Sequence, residues 1–74
     1  MRLISWNIRA GGGVRVPAIL DQLLRWDADV IGLCEFRGTP PSLALAAALR
    51  EHGFEHQLTT ADPVSPGRNG LLLA

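Results

Sequence analysis

The chain has 74 residues, 47% of them apolar, and its seven basic and seven acidic side chains cancel. That length allows one small domain, burying only about 60% of its unfolded surface, and the apolar share excludes a disordered chain. Neutrality excludes a broad electrostatic pull toward nucleic acid or anionic lipid, but not a phosphate substrate, because a divalent cation supplies positive charge locally.

Leu3 to Ile8 (LISWNI) is short, rich in β-branched and aromatic types, and ends at glycines, which predicts a strand. Gly11, Gly12 and Gly13 read as a flexible loop. Val16, Ile19, Leu20, Leu23 and Leu24 then fall on one helical stripe, with Pro17 in the first turn, where its missing N–H costs nothing. Asp27 to Asp29 punctuate the end. Val30 to Phe36 (VIGLCEF) is nearly continuous in apolar residues, the pattern of a strand covered on both faces. Thr39 is placed to cap a second helix, with Pro40 at its first position. Ser42 to His52 is rich in alanine and leucine, and Gly53 is a natural stop. Phe54 to Thr60 predicts a third strand, Ala61 to Asn69 a loop, and Gly70 to Ala74 the start of a fourth strand. No repeat, low-complexity tract or linker interrupts this order.

The order β-α-β-α-β-β predicts an α/β unit with a mixed sheet, spanning residues 1–74 as one domain. Strand–helix–strand units give parallel neighbours, and the last two strands, joined by a loop, are expected to be antiparallel. The single cysteine, Cys34, has no disulfide partner and reads as a buried reduced thiol. No segment is long enough to cross a membrane, and no apolar signal core precedes Asn7 and Arg9. These features lead to the expectation of a reducing, cytoplasmic setting.

If the first two strands are parallel neighbours, Asn7 and Glu35 end them at the same sheet edge, where α/β proteins place ligands. Strand alternation puts Glu35 on the face of Ile31 and Leu33, so its carboxylate needs a partner or a metal. One carboxylate with water and phosphate oxygens suits magnesium. The plainer readings are that Asn7 satisfies a turn and that Glu35 pairs with Arg9 or Arg37. The glycine run raises a rival, a phosphate- or nucleotide-binding loop, but Gly11-Gly12-Gly13 fails G-x-G-x-x-G because Val16 holds the third glycine's place. A second rival is a non-catalytic interaction module that docks its alanine-rich helix or bare sheet face on a partner.

Ile4-Ser5-Trp6-Asn7-Ile8 resembles the opening strand of the endonuclease/exonuclease/phosphatase superfamily, and Asp29-Val30-Ile31-Gly32-Leu33-Cys34-Glu35 resembles its second motif, D-[IV]-[IVL]-x-L-x-E. Gly67-Arg68-Asn69-Gly70-Leu71-Leu72-Leu73-Ala74 is similar to that family's later glycine-led strand. The resemblance implies a hydrolase dependent on Mg2+ or Mn2+ that cuts phosphodiesters or phosphomonoesters, including those of nucleic acid. It implies that Glu35 binds the metal, that Asn7 is an active-site residue beside it, and that the fold is half of a four-layer α/β sandwich. Some nucleases of this kind carry Asp two residues after the asparagine. Arg9 stands there, as a candidate contact to substrate phosphate.

The family's water-activating Asp, its Asn partner and its late Asp-His pair have no counterpart among these residues. His52 and His56 read as surface side chains at a helix end and in a polar strand. The expectation is a truncated N-terminal portion, inactive by itself and in need of the C-terminal half of the fold.

Overall fold

The computed structural model describes residues 1–74. Strands β1 (Leu3–Asn7) and β2 (Val30–Phe36) flank helix α1 (Val16–Trp26), and helix α2 (Pro40–Glu51) precedes strands β3 (Leu58–Thr59) and β4 (Gly70–Leu73). The four strands form one mixed sheet in the order β1-β2-β4-β3. β1 and β2 are parallel, and β4 is antiparallel to both of its neighbours. The α/β class and the mixed sheet are those expected from the sequence.

Both helices pack on one face of this sheet. Ile19 and Leu23 of α1, and Leu45 and Leu49 of α2, close over Ile31, Leu33 and Phe36 of β2 and Leu72 of β4. The α1 stripe fits the role its spacing predicted, with Leu23 fully buried. Trp6 and Trp26 meet edge-on at 5.1 Å, closing the outer side of this layer. Thr39 is the cap residue before α2, and its carbonyl accepts the Leu43 N–H at 2.9 Å, although the Thr39 hydroxyl makes no capping bond.

β2 is covered on one face, and its outward positions, Val30, Gly32 and Cys34, have no layer above them and are half-buried, which is the bare sheet face suggested by the sequence. Three expectations are corrected. Cys34 is therefore a half-buried free thiol on the open face, not a core residue. Leu71 (54% exposed) and Leu73 (49%) extend that open apolar face, and Leu58 pairs with Leu73 beside it.

The third strand is much shorter than Phe54 to Thr60. The Phe54 N–H is held by the Leu49 carbonyl, and the Gln57 amide donates to the carbonyls of Ala46 and Phe54, so 54–57 follows the helix end. β2 and β3 are also not neighbours, because β4 lies between them. The central place requires an inward apolar side chain, which Leu72 supplies and the polar run Glu55-His56-Gln57 does not. No helix is long and apolar enough to cross a membrane.

Candidate functional site

Asn7 and Glu35 come together at the C-terminal edge of the two parallel strands. Asn7 pairs in register with Cys34, which puts Glu35 one residue further along. The ladder between β2 and β4 slips at this point. Cys34 opposes Leu71 and Phe36 opposes Gly70, leaving Glu35 as the extra residue of a β-bulge. Glu35 has φ 58°, a left-handed conformation that bulges of this kind normally give to glycine.

This bulge overturns the alternation argument. Phe36, fully buried, takes the next inward place, and Glu35 is turned out of the ladder. The burial of a large aromatic ring stabilises the side that strict alternation would have assigned to a carboxylate. Non-glycine residues in strained backbone cluster at functional positions. Here Arg9 (φ 59°), Ala10 (φ 49°) and Glu35 are three of the four non-glycine residues with positive φ.

The loop after β1 is built around that glutamate. Arg9 to Gly13 all have positive φ, so the segment winds in a left-handed turn closed by the Gly12 N–H on the Arg9 carbonyl at 2.9 Å. The glycine segment therefore has a defined geometry and forms the rim of the site. Gly12 is required by close approach as well as by its φ of 83°, since a Cβ there would lie 3.0 Å from Val16 and 3.1 Å from Ile19. The Ala10 N–H donates to Glu35 Oε1 at 3.2 Å, and the Gly11 N–H donates to the Glu35 carbonyl at 2.8 Å. The N–H groups of Ala10, Gly11 and Gly12 are thus satisfied within the protein, so these three are not free to cradle a phosphate.

Asn7 Oδ1 accepts the Arg9 N–H at 2.9 Å, the side-chain-to-backbone turn typical of asparagine. The same carboxamide approaches the Glu35 carboxylate. The Ala10 N–H first, and the Asn7 amide second, hold the Glu35 carboxyl below its usual value of 4.5, and the Arg37 and Arg9 charges lower it further. Glu35 is therefore ionised at neutral pH.

Two arginines that border the carboxylate are themselves oriented or free. Arg37 Nε donates to Asn69 Oδ1 at 2.8 Å, joining the end of β2 to the entry of β4. Arg9 makes no side-chain hydrogen bond or ion pair, and Arg15 donates to the Arg9 carbonyl at 2.7 Å from the start of α1.

The donor set suits a hard cation that keeps most of its water. One ionised carboxylate and one carboxamide lie at this edge, and no group of three or more His, Cys, Asp or Glu side chains is placed to hold a metal. Magnesium is satisfied by one or two carboxylates plus water, whereas structural zinc needs four nitrogen or sulfur ligands. The histidines lie elsewhere. His52 lines a cavity of about 310 Å³ with Asp27 and Asp29, at the entry of β2. Asp29 is six residues before Glu35, roughly 20 Å along a strand.

The structure brings together Asn7, Glu35 and Arg9, the residues that the sequence singled out, and adds Ser42 and the Arg37–Asn69 link, which the sequence did not. Ser42 carried one signal, a small hydroxyl residue in the first turn of an otherwise apolar helix. Asn69 carried none, because a loop asparagine satisfies many kinds of turn. No family model, curated protein or solved structure matches the chain.

Proposed function

We propose that this chain supplies the metal-binding corner of a phosphoesterase active site dependent on Mg2+ or Mn2+. The observation that carries the reading is the ionised Glu35, bulged out of β2 beside Asn7 and flanked by Arg9 and Arg37. The resemblance of the two strand motifs to the endonuclease/exonuclease/phosphatase superfamily supports the same assignment. Glu35 and Asn7 would hold a hydrated divalent cation, which supplies Lewis-acid polarisation of a phosphoryl oxygen. Asn7 Oδ1 accepts the Arg9 N–H, and its carboxamide lies beside Glu35, where it helps to keep the carboxyl ionised. Arg9 and Arg37 stand where charge-assisted hydrogen bonds to phosphate oxygens are available.

No imidazole or second carboxylate stands beside Glu35 to activate water, so the residues present bind and orient a phosphoester without a general base. The test follows from that division. In the presence of Mg2+, the chain is expected to bind a phosphodiester such as bis(p-nitrophenyl) phosphate, detected by NMR shifts at Arg9 and Arg37. It is expected not to hydrolyse the ester above the rate of Mg2+ alone. Binding that is indifferent to Mg2+, or unchanged in Glu35→Gln, would refute the reading.

A second reading, a non-catalytic interaction module, is favoured by the open apolar face of Leu3, Leu58, Leu71 and Leu73. A stable self-associated form with no metal response at Glu35 would support that reading instead.

A further inference from the structure

Ser42 is the one polar side chain buried in this protein, at 0% exposure. It sits at the third position of α2, after Pro40 and Pro41. Its hydroxyl donates to the Gly11 carbonyl at 2.6 Å and accepts the Arg37 N–H at 3.2 Å. In the usual capping box, a side chain at this helix position reaches back to the N–H of the cap residue. Here it reaches two residues further, to Arg37, and uses its proton on a different element. One hydroxyl thereby joins the end of β2, the first turn of α2 and the left-handed turn after β1.

The joined atoms lead directly to Glu35. Gly11, whose carbonyl Ser42 holds, donates its N–H to the Glu35 carbonyl, and Ala10 before it donates to the Glu35 carboxylate. Arg37, whose N–H Ser42 accepts, lies two residues after Glu35. The backbone of Arg9, Ala10 and Glu35 is held in left-handed conformations that side-chain-bearing residues rarely adopt. Such strain persists only where surrounding contacts over-determine it. Ser42 is the contact placed to do so from both sides.

We propose that Ser42 is a positioning residue of this site, fixing the 9–13 turn so that the Ala10 N–H orients the Glu35 carboxylate for a divalent cation. The inference rests on the assignment of Glu35 as the metal carboxylate. Ser42 itself touches neither metal nor substrate.

The test compares the whole 15N-labelled chain with Ser42→Ala and with Ile31→Val, a mild core change at the far end of β2 that serves as a stability control. Two quantities are read: hydrogen exchange at the Ala10 amide, and Mg2+ affinity from the shifts of residues 7–12. Ser42→Ala is expected to exchange at Ala10 at least tenfold faster and to bind Mg2+ at least fivefold more weakly, while Ile31→Val retains both. If Ser42→Ala does not fold, Ser42→Cys, similar in shape with a weaker hydrogen bond, is expected to show intermediate losses of the same two quantities. Wild-type protection and affinity in the serine variant, or equal losses in Ile31→Val, would overturn the proposal. Absence of any Mg2+ response in the unaltered chain would sink the metal assignment, and Ala10 exchange would still decide whether Ser42 positions the turn.

Discussion

Gly11→Ala tests whether the left-handed turn is held by packing or only by the freedom of its glycines. A Cβ at Gly11 would lie 2.9 Å from Ser42 Oγ and 3.1 Å from Arg37 Cβ, with φ at 76°. The left-handed conformation costs a side-chain-bearing residue about 1–2 kcal/mol. Displacing the buried Ser42 hydroxyl from the Gly11 carbonyl leaves polar groups unsatisfied, for a further cost of about 1–3 kcal/mol. The sum is roughly 2–5 kcal/mol, against a total stability on the order of 4–11 kcal/mol for a domain of this size. Gly13→Ala provides the comparison, because φ is 53° there and nothing lies within 4 Å of the added carbon. It should show the conformational cost alone. Circular dichroism during heating should place Gly11→Ala about 10–30 °C below the unaltered chain, with Gly13→Ala losing about half as much. Equal losses, to within about 0.5 kcal/mol, would refute the clash with Ser42.

Three further outcomes are expected. The Glu35 carboxyl is held below its usual value, so its contribution to stability is fully present above pH 4.5 and is lost as pH falls through the lowered folded value. Urea denaturation at pH 6 and pH 3 should show a smaller acid loss in Glu35→Gln than in the parent, and equal losses would contradict this. Leu23→Ala, at a position with no exposure, should cost about 2–5 kcal/mol and bring the chain near its unfolding limit, read from urea midpoints. Leu71→Thr with Leu73→Thr, on the open face, should reduce self-association in sedimentation velocity while leaving the melting temperature within a few degrees. A large fall in melting temperature would mean that this face is packed in the monomer.

The elements legible from the sequence are those whose cause is local. The α1 stripe, the prolines at the start of each helix and the apolar run of β2 each act within one element, and the structure follows them. The edge shared by Asn7 and Glu35 was equally readable, because parallel register follows from a strand–helix–strand unit. What escaped was non-local. The bulge at Glu35 depends on Phe36 winning the inward place, and that competition involves the packing of both helices. The position of β4 between β2 and β3 depends on which of two candidate strands better fills a central place. Ser42 bonds to Gly11, 31 residues before it in sequence, a relation with no periodic signature. The polar strand anticipated at 54–60 failed for a related reason, since Gln57 bonds back to α2 and Phe54 rather than to a neighbouring strand.

The central claim, a divalent-cation site at Glu35, is tested most directly by adding Mn2+ to the 15N-labelled chain and following paramagnetic broadening residue by residue. Signals of Asn7, Arg9, Ala10 and Glu35 should broaden first, and Mg2+ should reverse the effect by competition. In Glu35→Gln those signals should stay sharp at the same Mn2+ concentration. Broadening that begins instead at Asp27 and Asp29, or that is unchanged in the glutamine variant, would contradict the account.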